Sequence, residues 1–138
     1  MITIKKKEIV KLEAVLHLYQ AVGWTNYTHQ PQMLEQALSH SLEIYVALDG
    51  DAVVGLIRLV GDGFSSVFVQ DLIVLPTYQR QGIGSDLMKE ALGDYKDAYQ
   101  VQLVTEETEK NVGFYRSLGF EVLSTYDCIG MTWVNREK

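Results

Sequence analysis

The sequence predicts a mixed α/β domain: a mostly antiparallel sheet with one parallel strand pair and helices on both faces. Three observations predict it. Two Asp-Gly pairs, Asp49-Gly50 and Asp62-Gly63, separate three runs rich in β-branched and aliphatic residues. Asp-Gly between such runs signals a hairpin, because type I′ turns need positive φ. The apolar residues of the flanking segments recur instead at helical spacing. A strand-helix-strand unit then runs from Val67 to Thr105, which requires parallel strands joined by a right-handed crossover.

In chain order, Ile2 to Lys6 alternates and reads as a short strand. Leu12, Val15, Leu16, Tyr19 and Val22 mark a helix that Gly23 stops. Trp24 to Gln30 reads as a loop. Pro31 suits a first helical position, and Leu34, Ala37 and Leu38 give the next helix its apolar face. Leu42 to Leu48, Ala52 to Val60 and Ser65 to Leu75 form an antiparallel meander, which Pro76 ends. Ile83, Leu87, Met88, Ala91 and Leu92 mark a helix ending at Gly93. Tyr99 to Thr105 is a strand, and Lys110 to Leu118 is a short helix closed by Gly119. Phe120 to Ser124 and Cys128 to Val134 read as a final hairpin.

The 138 residues are the size of one domain, and no repeat or Pro/Ser-rich linker divides them, so residues 1–138 read as a single domain. An apolar share of 47% suffices for one core without metal or disulfides. Cys128 is the single cysteine, so no intramolecular disulfide can form, and the count suits a reducing compartment. There is no apolar run long enough to span a membrane and no secretory signal after Met1, so the expected location is cytoplasmic. A net charge of -6 argues against a nucleic-acid backbone as partner and mildly favours a cationic substrate. His17, His29 and His40 lack metal-ligand spacing, so no metal site is expected.

The chemistry concentrates where Asp71-Leu72-Ile73-Val74-Leu75-Pro76 leads into Gln79-Arg80-Gln81-Gly82-Ile83-Gly84-Ser85. A buried strand runs into a loop with two glycines one residue apart, and then into a helix. Amides of such a turn converge, and the helix N-terminus adds its positive dipole end. Gly82 and Gly84 permit positive φ and close approach of an anion, and Arg80 adds a formal charge. This is a seat for a pyrophosphate. It is not a P-loop, since Gly-Lys-Ser/Thr is missing. It is not the dinucleotide fingerprint either, since Leu87 stands where the third glycine belongs.

Gln79-x-x-Gly82-x-Gly84 closely resembles the acetyl-CoA pyrophosphate loop of the GCN5-related N-acetyltransferase (GNAT) superfamily. Asn111-x-x-Phe114-Tyr115-x-x-x-Gly119-Phe120 resembles that superfamily's second signature, one strand and one helix downstream. The element order matches along nearly the whole chain. The resemblance implies a GNAT-like fold with a central parallel strand pair, and direct acetyl transfer from acetyl-CoA to a small-molecule or peptide amine. It implies that Gln79 to Ser85 bind the cofactor. It also implies that the strand bulges and splays at Leu72, Ile73 and Val74, freeing an amide for the thioester oxygen. Asn111 then meets the pantetheine arm, and Tyr115 protonates the leaving sulfur.

The general base is open. Many relatives carry a glutamate where this chain has Thr105. Glu106 and Glu107 follow it, and Asp71 precedes the expected bulge. Asp71 either faces the substrate as a base or is a structural carboxylate. A weakly basic amine needs no base at all. The Trp24 to His29 loop sits where relatives shape the acceptor pocket, so Trp24 and Tyr27 are candidates for its wall, or pack as a lid. An edge strand offers a route to a homodimer. The alternative function is a CoA-binding sensor of the same fold without turnover, which Thr105 keeps open.

Overall fold

A computed structural model describes residues 1–136. The chain forms two compact units, Met1–Leu103 and a second that begins at Val104. Among the described residues, no helix is long and apolar enough to cross a membrane.

The first unit is built on five strands: β1 (Ile2–Lys7), β2 (Glu43–Asp49), β3 (Ala52–Gly61), β4 (Val67–Val74) and β5 (Val101–Leu103). They lie side by side in chain order. The first three pairings are antiparallel, and β4 pairs with β5 in parallel. The α4 helix (Ile83–Asp94) makes the crossover between the parallel strands. The helices α1 (Leu12–Ala21), α2 (Thr25–Thr28) and α3 (Pro31–Ser39) precede β2. The predicted Trp24–Gln30 loop thus contains one helical turn, α2.

The hairpin after β2 differs in type from the expectation. Asp49 pairs with Ala52, which leaves Gly50-Asp51 as the turn. Positive φ is confined to Gly50, at 62°. That is the pattern of a II′ turn, with glycine first, rather than I′. The longer β3–β4 connection is organised by Asp62. Its carboxylate accepts hydrogen bonds from the amides of Phe64, Ser65 and Ser66 and from the Ser65 hydroxyl. These donors hold its pKa far below the usual carboxylate range, with the Ser65 hydroxyl the largest cause.

Both sheet faces are covered. Val15, Leu18 and Tyr19 of α1 recur at three- and four-residue spacing and are buried with Leu34 and Leu38 of α3. They pack on Ile44, Val46, Leu56 and Ile73 of the strands. The other face meets Ile83, Leu87, Met88 and Ala91 of α4. Gly55 lets that helix approach. A Cβ there would lie 3.1 Å from the Ile73 carbonyl oxygen and 3.3 Å from a Leu87 methyl.

Strand β4 carries the irregularity that matters most. Arg58 pairs with Asp71 and the adjacent Leu59 with Val69, so Gln70 is an extra residue. A bulge puts two consecutive side chains on one face. Val69 therefore points with Leu59 toward α4, while both Gln70 and Asp71 point toward α1–α3. Without the bulge, Asp71 would face the apolar side with no partner. The bulge thus lies at Gln70, two residues earlier than the Leu72–Val74 position expected from sequence. Leu72, Ile73 and Val74 pair regularly with Ile57, Leu56 and Gly55. Pairing with β5 ends at Val69–Leu103, and β4 continues to Val74 without that neighbour. The strand predicted as Tyr99–Thr105 shortens to β5 for the same reason.

The second unit contains α5 (Glu109–Ser117), which ends as expected before Gly119 at φ 98°. The predicted final hairpin does not form. Residues Leu123–Tyr126 make a 3₁₀ turn, closed by Asp127 at φ 60° and a Cys128 amide bond to the Leu123 carbonyl. The described residues beyond it form no strand. An alternating run becomes a strand only with a partner, and an isolated two-stranded hairpin is marginal in water.

Candidate active site

The loop after β4 is shaped by its own polar contacts. A 3₁₀ turn at Pro76–Tyr78 starts it, and the Tyr78 hydroxyl donates to Asp49 at 2.6 Å. The Gln79 carboxamide donates back to the Val74 carbonyl at 3.1 Å, tying the loop to the strand end. Arg80 then adopts φ 65° and Gly82 φ 82°. Two left-handed residues flanking Gln81 curl the backbone so that successive amides turn inward. A non-glycine residue at positive φ costs energy, of order 1–3 kcal/mol, and such residues cluster at ligand sites. Gly82 is the N-cap of α4 and supplies no side chain to its first amides. Those of Ile83, Gly84 and Ser85 keep their hydrogen-bonding capacity and the dipole's positive end. Gly84 does not use positive φ: it lies within the first turn of α4. The Arg80 side chain is exposed and makes no ion pair with another described residue. A helix N-terminus without a side-chain cap and an exposed arginine beside it suit a diphosphate.

Behind the half of β4 that lies beyond the β5 pairing is a buried polar network. Asp71 is 2% exposed and Arg58 4%. The Arg58 Nε donates to Asp71 Oδ2 at 2.7 Å. Tyr19 of α1 donates to the same oxygen at 2.8 Å, and Tyr27 of α2 donates to Oδ1 at 2.9 Å. Arg58 also reaches the Tyr27 hydroxyl, the Ser41 hydroxyl and the Ala37 carbonyl. One ion pair therefore joins β3, β4 and all three N-terminal helices. Burial, and then the Asp71 charge, push the Tyr19 hydroxyl far above its ordinary pKa and raise that of Tyr27. Arg58 is likewise held up: desolvation, the largest single cause, lowers it, but the charge and hydrogen bond of Asp71 together with the two tyrosines outweigh that.

Both Asp71 oxygens are engaged by these contacts, and the group is sealed from solvent. Its partners are the side chains of Arg58, Tyr19 and Tyr27. Tyr27 is likewise buried, its ring 5.1 Å from Tyr19 and its hydroxyl bonded to Asp71. Trp24 is half-buried beside it. Arg58 and Tyr19 escaped the sequence reading as polar participants. A lone arginine inside the apolar run Val53 to Val60 was the signal, since such a charge demands a buried partner.

In the second unit, Thr108 caps α5 by accepting from the Asn111 amide at 3.1 Å. The Asn111 side chain donates to the Glu106 carbonyl at 3.2 Å. Tyr115 packs edge-on against Phe114 and Phe120, and burial raises its pKa. Thr105 is exposed in the segment between β5 and α5. No group of three His, Cys, Asp or Glu among the described residues could hold a metal ion.

A mostly antiparallel sheet with one parallel strand pair is the fold that GNAT acetyltransferases share. The family model for the acetyltransferase (GNAT) domain matches residues 40–122. The chain belongs to the GNAT family. It is 84% identical to a GNAT-family acetyltransferase from Streptococcus pneumoniae TIGR4, covering 99% of both chains with a TM-score of 0.92. It is 30% identical to serotonin N-acetyltransferase 2, chloroplastic, of Oryza sativa subsp. japonica over 78% of this chain. That match covers 54% of the rice protein, and the chain spans little more than half the length of the curated relatives it matches first. A GNAT-family acetyltransferase from Elizabethkingia anophelis with acetyl-CoA bound shares the fold. Its TM-score is 0.65 and its identity 20%, over 88% of this chain and 76% of that one.

Proposed function

We propose that this chain transfers an acetyl group from acetyl-CoA directly to a small-molecule or peptide amine, acting as one acetyltransferase domain. The observation that carries the reading is the left-handed Arg80–Gly82 turn feeding the uncapped N-terminus of α4, in a chain of the GNAT family. The amides of Gln79 to Ser85 seat the pyrophosphate, and Arg80 offsets its charge. An amide of the Leu72–Val74 segment, beyond the end of β5 pairing, polarises the thioester carbonyl. Tyr115 is the general acid that protonates the departing CoA sulfur. Its raised pKa supports this, since the phenol stays protonated throughout the neutral range. Asn111 meets the pantetheine arm. Trp24 and Thr105 belong to the acceptor side. Asp71 acts by position: it fixes the bulge and the seat of α2 and does not take the amine proton. The amine loses its proton to water, or to Glu106 or Glu107.

The test begins with binding. Acetyl-CoA should raise the melting temperature by mass action, and Gly84→Val should abolish that shift while the fold persists. A full shift in the variant would move the pyrophosphate seat elsewhere. Release of CoA is then followed with a panel of amines. Tyr115→Phe should lower turnover roughly ten- to a thousandfold, with little change in acetyl-CoA affinity. Acetyl-CoA binding without turnover on any amine would instead leave a CoA-binding sensor.

A further inference from the structure

The bulge that delivers Asp71 to Arg58 also creates a second polar position, which the reading above leaves unused. Gln70 shares the α1–α3 face with Asp71, but the two differ in exposure: Asp71 is sealed and Gln70 is open to solvent. Gln70 is also the first residue of β4 beyond the last β5 pair, Val69–Leu103, so it stands where that pairing ends. Its Nε2 donates to the Tyr27 hydroxyl at 3.4 Å. That hydroxyl is in turn held by Asp71 and Arg58. The buried ion pair therefore orients an exposed carboxamide through one tyrosine. With Nε2 engaged on Tyr27, the carboxamide oxygen faces away from it, and that oxygen accepts no hydrogen bond from another described residue. An exposed strand residue has no packing reason to be held in this way.

We infer that Gln70 is an acceptor-recognition residue, whose carboxamide oxygen accepts one N–H of the attacking amine and selects primary amines. This rests on the acetyltransferase reading. The selectivity follows from counting hydrogens. A neutral primary amine carries two N–H bonds. One can be held by Gln70 while the other proton leaves as the amide forms. A secondary amine has a single N–H and cannot satisfy both demands. The hydrogen bond also directs the nitrogen lone pair, so it acts on orientation as well as affinity. Tyr27, Asp71 and Arg58 are positioning residues for Gln70.

The experiment uses 2-phenylethylamine, 1,4-diaminobutane and their N-methyl counterparts as probes, with wild type, Gln70→Ala and Gln70→Glu. Gln70→Ala should raise the acceptor KM roughly three- to tenfold, the worth of one neutral hydrogen bond. It should shrink the preference for the primary over the N-methyl amine by a similar factor. The KM for acetyl-CoA and the melting temperature should not move, because the side chain is exposed. Gln70→Glu keeps an acceptor oxygen and should preserve the preference. A readout independent of turnover is the side-chain amide resonance of Gln70, assigned by its loss in Gln70→Ala. Titration of CoA-loaded protein with the primary amines should shift it more than titration with the N-methyl amines. The inference is overturned if no amine perturbs that resonance, or if the preference is equal in wild type and Gln70→Ala. Failure of acetyl-CoA to bind wild type would overturn the acetyltransferase reading itself, a separate and distinguishable result.

Discussion

Against α4 the sheet of the first unit presents Ile57, Leu59, Val67 and Val69, while against α1–α3 it presents Arg58 and Asp71 beside Leu56 and Ile73. The difference originates in one inserted residue. Up to Val69, strand β4 alternates normally; after Gln70 its phase is shifted, and a carboxylate lands opposite an arginine. The apolar face needs only size and shape to be filled. The polar face needs each donor matched to an acceptor, and its buried side-chain atoms all find partners among the described residues. A buried ion pair is rarely more stable than a well-packed apolar pair of the same volume. What the pair adds is geometry: it fixes which helices sit where, and it holds α2 to β4 just beyond the end of the β5 pairing.

The largest expected effect breaks that geometry. Arg58→Met leaves the Asp71 carboxylate buried without its cation and should cost about 3–5 kcal/mol. Urea unfolding measures it. Asp71→Leu added to Arg58→Met removes the stranded charge and should recover most of the loss, while acceptor binding stays impaired. If Arg58→Met is as stable as wild type, the ion pair does not organise this face.

How much of this was legible beforehand follows from the same contrast. The helices and the meander were readable because periodicity reports which side is apolar, and burial by hydrophobic residues is non-directional. The turn at Gly82 was readable because left-handed backbone and an anion seat both call for glycine. The bulge was not, since its position depends on pairing between two strands rather than on either strand alone. Its trace was present, however. Gln70-Asp71 puts two polar residues in succession into an alternating strand, and Arg58 interrupts an apolar run twelve residues before Gln70. Each looks anomalous by itself, and together they specify a pair. The final hairpin was misread for the converse reason. Cys128 to Val134 alternates well, but alternation states a capacity to pair and not that a partner is at hand.

A smaller effect sharpens the comparison within the polar face. Tyr19→Phe removes one of the three side-chain groups that bond Asp71 while leaving its cation in place. The expected loss is about 1–3 kcal/mol, the penalty for under-satisfying a buried acceptor. Because Tyr19 donates to Asp71 and not to Tyr27, acceptor KM should change less than in Arg58→Met. A KM change as large as that of Arg58→Met would mean that Tyr19 also orients Gln70.

The smallest effect belongs at the edge of the α4 face, where tyrosine-carboxylate pairs recur with carboxylates that water can reach. Tyr45 donates to Asp94 at 2.7 Å, and Tyr95 donates to Glu43 at 2.9 Å. Lys6 also contacts Asp94 at 3.2 Å, and Asp94 is 41% exposed, so water can replace a lost donor. Tyr45→Phe should therefore cost about 1 kcal/mol or less at neutral pH. Its signature lies in the pH dependence. Burial first, and then the carboxylate contact, raise Tyr45, and the same causes push Tyr95 up to about 12. A raised folded-state pKa gives stability that is fully present below the ordinary tyrosine value of 10 and lost as pH rises through the folded value. Wild type should accordingly lose stability above about pH 10, and Tyr45→Phe should lose it less steeply. At the acid end the sign reverses. Asp94 is held low, first by Tyr45 and then by Lys6, so its contribution is present above its ordinary value of 3.8 and fades as pH falls. Tyr45→Phe should weaken that acid-side contribution. Urea midpoints measured across both limbs test the pair. Parallel curves for wild type and Tyr45→Phe on the alkaline side would show that the rim tyrosine ionises as freely folded as unfolded, and would leave the Tyr19–Tyr27 network as the source of any alkaline loss.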